Sequence, residues 1–140
     1  MSETRLYGTD AEIRALLSDA QVWAVVGLSA NERRPAYGVA AFLAQHGKQI
    51  VPVHPLAHTV HGAQGYPSLA AIPFPVDVVD VFVRSELAGA VVDEALALDP
   101  LPRAVWLQLG VVDEAAAARA RAAGLVTVMD TCPAIQWRTL

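Results

Sequence analysis

Five short hydrophobic runs divide the sequence, and longer segments with helical spacing of polar and apolar residues separate them. The runs are rich in valine and show little alternation with polar residues, which is typical of strands buried on both faces of a parallel sheet. They predict strands at residues 22–27, 49–53, 76–83, 104–107 and 125–129.

The segments between the runs carry helix start and stop signals. Thr9 and Glu12 have the spacing of a capping box, and glycine follows two of the predicted helices. Pro35 suits the first turn of a helix, because its missing N–H group is not needed there. The predicted helices begin at Thr9, Pro35, Ser85 and Asp113, with a single helical turn after Ser68.

Strands that alternate with helices predict a parallel sheet with right-handed crossovers and helices on both faces. The predicted fold class is therefore α/β: a Rossmann-like, doubly wound, five-stranded parallel sheet in three α/β/α layers. Because the first run is apolar throughout, we expect it to be the central strand, which gives the strand order 3-2-1-4-5. No linker or repeat divides the sequence, so we expect residues 1–140 to form a single domain.

Composition limits the possible classes of function. Of the 140 residues, 54% are hydrophobic and 17% are charged, which suits a domain with buried parallel strands. The net charge of −4 argues against nucleic acid as the main partner. We expect a cytoplasmic protein without membrane contacts, because the N-terminus lacks signal-peptide features and no apolar run is long enough to span a bilayer. The single cysteine excludes an internal disulfide.

The charges are unevenly distributed along the chain. Residues 33–76 contain no Asp or Glu but include Arg33, Arg34 and Lys48, so this segment carries +3 and the remainder −7. All four histidines lie in the same segment. An acidic protein with one acid-free segment is suited to receive a small anion there.

The loop from Gly27 to Arg34 joins the first strand to the helix that starts at Pro35. A helix N-terminus offers unpaired N–H groups and the positive end of the helix dipole, and arginine offers forked donors that match phosphate. The dinucleotide fingerprint GxGxxG is absent, since Ser29 and Glu32 stand at its second and third glycine positions. The loop therefore predicts a phosphate-binding site, with an ordinary strand–helix connection as the alternative.

Parallel sheets bind ligands beyond the carboxyl ends of their strands, where the strand order reverses. The residues that follow the five predicted strands are 27–34, His54-Pro55, Arg84-Ser85, Gln108-Leu109 and Thr131-Cys132. These segments converge on one edge of the sheet, which locates the predicted site.

The residues that follow the predicted strands allow more than one interpretation of the ligand and of individual side chains. No carboxylate follows the second strand before Asp77, which disfavours NAD, and the missing glycines also count against NADP. The loop histidines lack the spacing of known metal motifs, so we predict no metal site. Arg84 is either a second phosphate ligand or a surface charge. Gln108 should pair with a ligand or a backbone group, because buried amides need partners. No base is recognisable near Cys132, so we predict no catalytic residue.

Five motifs, in order along nearly the whole chain, resemble those of the small stand-alone CoA-binding proteins. These proteins are similar to the CoA-binding domain of the succinyl-CoA synthetase α subunit. The motifs are VVGLSA with RRPAYGV at 25–39, VPVHP at 51–55, VDVVDVFVR at 76–84, VWLQLGV at 105–111 and MDTCP at 129–133. One residue departs from the pattern, since His54 stands where relatives are expected to have Asn.

The resemblance implies a ligand and a set of binding residues. The loop 27–34 with Tyr37 and Gly38 would hold the CoA phosphates, and His54-Pro55 would flank the adenosine. Residues 82–84 with Leu107 and Gln108 would line the rest of the cleft. The implied cofactor-binding residues are Gly27, Leu28, Ser29, Arg33, Arg34, Tyr37, Gly38, His54, Pro55, Phe82, Val83, Arg84, Leu107 and Gln108.

The function implied by the resemblance is the binding of coenzyme A or an acyl-CoA, without catalysis by the chain alone. The synthetase carries a second domain with a phosphorylated histidine, and a chain that ends at Leu140 has no room for it. Two alternatives stay open. One is an NAD(P)-dependent oxidoreductase, and the other is a subunit that supplies a CoA site to a partner acyl-CoA enzyme.

Overall fold

The computed structural model describes residues 3–140, with side chains from residue 5 onward. Met1 and Ser2 belong to the N-terminal segment that was predicted to lack signal-peptide features, and they lie outside the described residues. The strands are β1 (Val22–Val26), β2 (Gln49–Val53), β3 (Val78–Val81), β4 (Ala104–Leu107) and β5 (Val126–Val128). The helices are α1 (Glu3–Tyr7), α2 (Asp10–Asp19), α3 (Pro35–Gln45), α4 (Ser85–Leu96), α5 (Glu114–Ala122) and α6 (Pro133–Trp137), with a 3₁₀ turn at Leu69–Ala71.

All five strands are parallel, and their order in the sheet is β2-β1-β3-β4-β5. The predicted α/β class is confirmed, but the predicted order 3-2-1-4-5 is wrong. β3 lies next to β1, and β2 is an edge strand. The chain runs from β1 to β2 in one direction and from β3 to β5 in the other, so the order reverses between β1 and β3.

Pro52 explains why β2 lies at the edge. In a parallel ladder the N–H and C=O groups of one residue point to the same side of the strand. The Pro52 carbonyl accepts a hydrogen bond from Tyr66 N (2.9 Å), on the side away from β1. The missing N–H group of Pro52 therefore also points to the outside, where no neighbouring strand needs it. In a central strand the same proline would leave a carbonyl of the next strand unpaired.

Each face of the sheet has its own hydrophobic cluster. One cluster contains buried residues of α4 and α5, and the other contains buried residues of α2 and α3. In the second cluster the rings of Trp23 and Trp106, from β1 and β4, lie 5.7 Å apart. The predicted three-layer arrangement is therefore present. None of the helices in residues 3–140 has the length and hydrophobicity to cross a membrane.

Arg121 ties the N-terminal helices to the far end of the sheet. Its side chain is 7% exposed, and its Nη1 lies 2.7 Å from Glu12 Oε2. Its Nε donates to Thr127 Oγ1 in β5 (2.9 Å). Glu12 also completes the predicted capping box with Thr9, which is confirmed. The hydrogen bond from Arg121 lowers the pKa of Glu12 to about 2.

Candidate functional site

A cleft of about 1050 Å³ runs along the carboxyl ends of the strands. Residues that follow β1, β2, β3 and β4 line it, together with Cys132 and Ile135 after β5. The cleft therefore extends over the width of the sheet and crosses the place where the strand order reverses. This is the position at which open parallel sheets bind ligands.

Gly27 draws the ends of three strands together at this reversal. Its N–H donates to Val53 O at the end of β2 (2.8 Å). A Cβ atom at this position would lie 2.8 Å from the carbonyl oxygen of Phe82, which follows β3. The backbone φ of +99° also favours glycine. Only glycine therefore lets the strand ends approach this closely and form the floor of the cleft.

Ser29 and Asn31 shape the loop that follows. Ser29 Oγ accepts from Asn31 N (3.2 Å), and Asn31 Oδ1 accepts from Arg33 N (3.1 Å). Arg34 N donates to Asn31 O (3.1 Å). These short-range bonds turn the chain back to the sheet edge, so that α3 begins at the cleft wall.

The two adjacent arginines have different positions. Arg34 lines the cleft together with Pro35 and Ala36 at the start of α3, whereas Arg33 does not. Arg34 is the N-cap residue of α3, and no side chain caps this helix. Among residues 3–140, Arg34 has no ion-pair or side-chain hydrogen-bond partner. A cationic group and the positive end of a helix dipole thus lie together on one wall of the cleft.

The segment after β2 forms the neighbouring wall. His54 Nδ1 accepts from Leu56 N (3.1 Å), and His54, Pro55 and His58 line the cleft. His61 points elsewhere: its Nε2 lies 2.8 Å from Tyr37 O, and its ring lies 4.3 Å from that of Tyr37. In the described part of the chain, no group of three or more His, Cys, Asp or Glu side chains is arranged to hold a metal ion.

Phe82, Val83 and Arg84 line the cleft after β3. The Arg84 side chain is 73% exposed, and its Nε lies 3.5 Å from Glu86 Oε2. Ser85 Oγ accepts from Val112 N (3.0 Å), which joins this loop to the loop after β4. Arg84 is therefore a partly neutralised surface charge at the cleft margin, in contrast to Arg34.

Gln108 lies on the cleft floor after β4 and has a partner that the sequence analysis missed. Its Nε2 donates to Oδ1 of Asp80 in β3 (2.5 Å). Asp80 is fully buried, and its Oδ2 has no hydrogen-bond partner among the described residues. Burial raises the pKa of Asp80 to about 8, although the hydrogen bond from Gln108 opposes the rise. The Asp80 carboxyl is therefore mainly protonated at pH 7, directly beneath the cleft.

The structure brings most of the predicted site residues to one place. Those that line the cleft are Gly27, Ser29, Arg34, His54, Pro55, Phe82, Val83, Arg84 and Gln108. The predicted residues outside the lining are Leu28, Arg33, Tyr37, Gly38 and Leu107. The side chains of Leu28 and Leu107 are fully buried in the two hydrophobic clusters, so only their backbone atoms are left for a ligand.

Several residues of the cleft lie outside the set of individual binding residues that the resemblance implied, although Asn31 and Leu109 belong to segments predicted to lie at the sheet edge. The cleft is also lined by Asn31, Leu109, Ile135 and the segment 67–69. Asp80 had a signal in the sequence, because a carboxylate in the middle of a buried hydrophobic run is rare without a partner. Ile135 had none, since it lies in a short tail that was not predicted as a helix.

Comparison with known proteins gives the family. Residues 21–138 match the family described as "CoA binding domain". The uncharacterized protein YneT of Bacillus subtilis is 35% identical over 122 residues, which cover 87% of this chain and 89% of that protein.

Solved structures share the fold of this chain. A hypothetical protein from Pyrococcus horikoshii OT3 has a TM-score of 0.89 and 34% identity, with 100% of this chain and 99% of that chain covered. The dinucleotide-forming acetyl-coenzyme A synthetase 1 of Ca. Korarchaeum cryptofilum, solved with phosphate and ADP, has a TM-score of 0.71 and 21% identity. That match covers 81% of this chain and 26% of the synthetase, and it concerns the fold alone. With the family match over residues 21–138 and the 35% identical relative, the chain belongs to the CoA binding domain family.

Proposed function

We propose that residues 1–140 act as one domain that binds coenzyme A or an acyl-CoA along the cleft, without catalysis of its own. The observation that carries the proposal is Arg34, a cation without an ion-pair partner in residues 3–140, at the uncapped start of α3 and on the cleft wall. CoA is a polyanion, and its phosphates match forked guanidinium donors and free helix N–H groups. Family membership supports CoA over other phosphorylated ligands.

The order of the walls supports one orientation of the ligand. In this proposal the phosphates lie against the loop 27–34, and the adenosine lies beside His54 and Pro55 after β2. The pantetheine arm then crosses the ends of β3 and β4, past Phe82 and Gln108. Arg33 and Tyr37, which the resemblance also implied, lie outside the lining. Arg33 would then act on the phosphates only through its charge at longer range, and Tyr37 would make no direct contact.

Calorimetry of CoA binding with two single variants tests the loop assignment. A charge-assisted hydrogen bond contributes about 1.5–3 kcal/mol, so Arg34→Ala should weaken CoA binding about 10- to 100-fold. Arg33→Ala is the matched control, because the neighbouring arginine is exposed but lies off the cleft, and its affinity should stay within a few-fold of wild type. Affinity should also fall as salt concentration rises, because the attraction is partly ionic.

The double variant and a second ligand complete the test. If Arg33→Ala/Arg34→Ala binds CoA as tightly as wild type, the phosphates do not lie at this loop. A parallel titration with NADPH addresses the oxidoreductase alternative. CoA binding without NADPH binding supports the proposal, whereas the reverse result contradicts it.

A further inference from the structure

Exposed apolar side chains line two parts of the cleft. Among the large hydrophobic side chains exposed in residues 3–140, those that line the cleft are Leu56, Leu109 and Ile135, with exposed fractions of 65%, 63% and 44%. Leu56 lies apart from the other two, after β2 and next to His54 and Pro55. Leu109 follows β4, and Ile135 lies in α6 after the neighbouring strand β5. A single exposed leucine is ordinary on a protein surface, but two large apolar side chains on the wall of a binding cleft favour an apolar ligand group.

Charged side chains of the cleft lie elsewhere. The ionisable side chains that line the cleft are Arg34 after β1, His54 and His58 after β2, Arg84 after β3 and Glu94 in α4. Of the described residues, those that line the cleft after β4 and β5 include no Asp, Glu, Lys, Arg or His. The cleft thus carries arginine side chains where it is lined by residues after β1 and β3, and uncharged, partly apolar side chains where it is lined by residues after β4 and β5. A complementary ligand is anionic on the first side and apolar on the second.

The distance between the two ends suits a CoA thioester. Adjacent strands lie about 4.8 Å apart, so the end of β1 lies about 10 Å from the end of β4, which precedes Leu109, and about 14 Å from the end of β5, which precedes α6. A ligand whose phosphates lie at the start of α3 has this span available for its pantetheine arm. An extended pantetheine arm bridges a span of this order, which brings the sulfur to the wall that Leu109 and Ile135 form.

We infer that the preferred ligand is an acyl-CoA with an apolar acyl chain, and that this chain lies against Leu109 and Ile135. The inference rests on the proposed function, because the acyl chain reaches this wall only if CoA lies along the cleft with its phosphates at α3. Free CoA would leave the two side chains in water. A short polar acyl group would gain nothing from them.

Calorimetry with CoA, acetyl-CoA and S-hexyl-CoA, a thioether that does not hydrolyse, tests the inference on the full chain. Each methylene that leaves water strengthens binding about 4-fold, so four methylenes give about 250-fold at full burial. Because the cleft is open, it covers only part of the hexyl group, and the gain is smaller than at full burial. We expect S-hexyl-CoA to bind at least 10-fold more tightly than acetyl-CoA.

Variants at Leu109 and Ile135 test where the acyl chain of the ligand lies. Leu109→Ser/Ile135→Ser should reduce the preference for S-hexyl-CoA over CoA at least 5-fold. Leu87→Ser is the matched control: Leu87 is a large apolar side chain on α4, 48% exposed, that does not line the cleft. It should keep the wild-type preference. All three positions are exposed, so the variants are expected to fold, and circular dichroism checks this.

The outcomes separate the inference from the proposed function. If wild type binds CoA but prefers S-hexyl-CoA by less than 3-fold, the inference is overturned and the proposed function stands. If folded wild type binds neither ligand, the proposed function fails and the inference falls with it. If Leu109→Ser/Ile135→Ser keeps the wild-type preference for S-hexyl-CoA over CoA, the acyl chain does not lie against these two side chains. Loss of self-association in that variant, without any acyl preference in wild type, identifies the wall as a contact between two copies and also overturns the inference.

Discussion

Replacing Asp80 by asparagine should change how stability depends on pH. Asparagine has nearly the same shape as a protonated aspartic acid, but it cannot ionise. In the native state burial raises the pKa of Asp80 from 3.8 to about 8. In the unfolded chain the carboxyl returns to water and ionises near its ordinary pKa. Between these two values the native state holds one proton that the unfolded chain does not.

The magnitude follows from this proton. Unfolding releases it, so raising the pH favours unfolding, and the free energy of unfolding of wild type falls by about 1.4 kcal/mol per pH unit through this group. The loss extends from pH 4 to about pH 8, the window between the two pKa values. Asp80→Asn lacks this pH dependence, because asparagine does not ionise. Its stability relative to wild type should therefore rise by roughly 3 kcal/mol between pH 5 and pH 7.

Urea unfolding at several pH values, followed by tryptophan fluorescence, measures the difference. Trp23 and Trp106 are fully buried and report on the core. The slope against pH is the observable, because Asp80→Asn also changes the hydrogen bond with Gln108 and so shifts the stability at every pH. Asp10→Asn, at the exposed start of α2, is the control for the loss of one carboxylate. Parallel curves for wild type and Asp80→Asn between pH 5 and pH 7 would refute the protonated state of Asp80.

Other predictions concern Gly27, Arg121 and Cys132. Gly27→Ala should cost about 1–3 kcal/mol more in thermal or urea unfolding than Gly110→Ala, because both glycines have positive φ but only Gly27 meets a backbone oxygen, and equal costs would contradict this. Arg121→Met should lose less stability than wild type as the pH falls from 4.5 to 2 in acid unfolding, because Glu12 then lacks the hydrogen bond that contributes most to its low pKa, and an unchanged profile would contradict the ion pair. Cys132→Ser should bind CoA within a few-fold of wild type under reducing conditions, and a large loss in calorimetry would make the thiol a ligand.

The sequence predicted the local elements of this protein well. Strands and helices came from the period of apolar residues, and the capping box of Thr9 and Glu12 is confirmed because its bonds join residues three apart. Gly27 was also expected to begin the loop after the first strand. The carboxyl edge of the sheet as the place of the cleft followed from strand–helix alternation alone, since parallel strands all end at the same edge.

The order of the strands was decided by tertiary structure. The central position was given to the first run because it is apolar, but β3 is buried along its whole length as well, in spite of Asp80. Apolar content therefore did not separate a central strand from its neighbour. Pro52 is the residue that distinguishes the two orders, because a strand whose proline lacks an N–H group suits the edge of the sheet. The sequence alone does not show which side of the strand this missing group faces.

The chemistry of the site also depended on contacts between distant residues. Arg33 and Arg34 are indistinguishable in the sequence, and the bonds of Ser29 and Asn31 within the loop decide which arginine lines the cleft. Asp80 and Gln108 are 28 residues apart, and they meet only because β3 and β4 are neighbours. Periodicity fixes which face of its own element a side chain occupies. The partner across the sheet, and with it the pKa of a buried carboxyl, is set by which elements pack together.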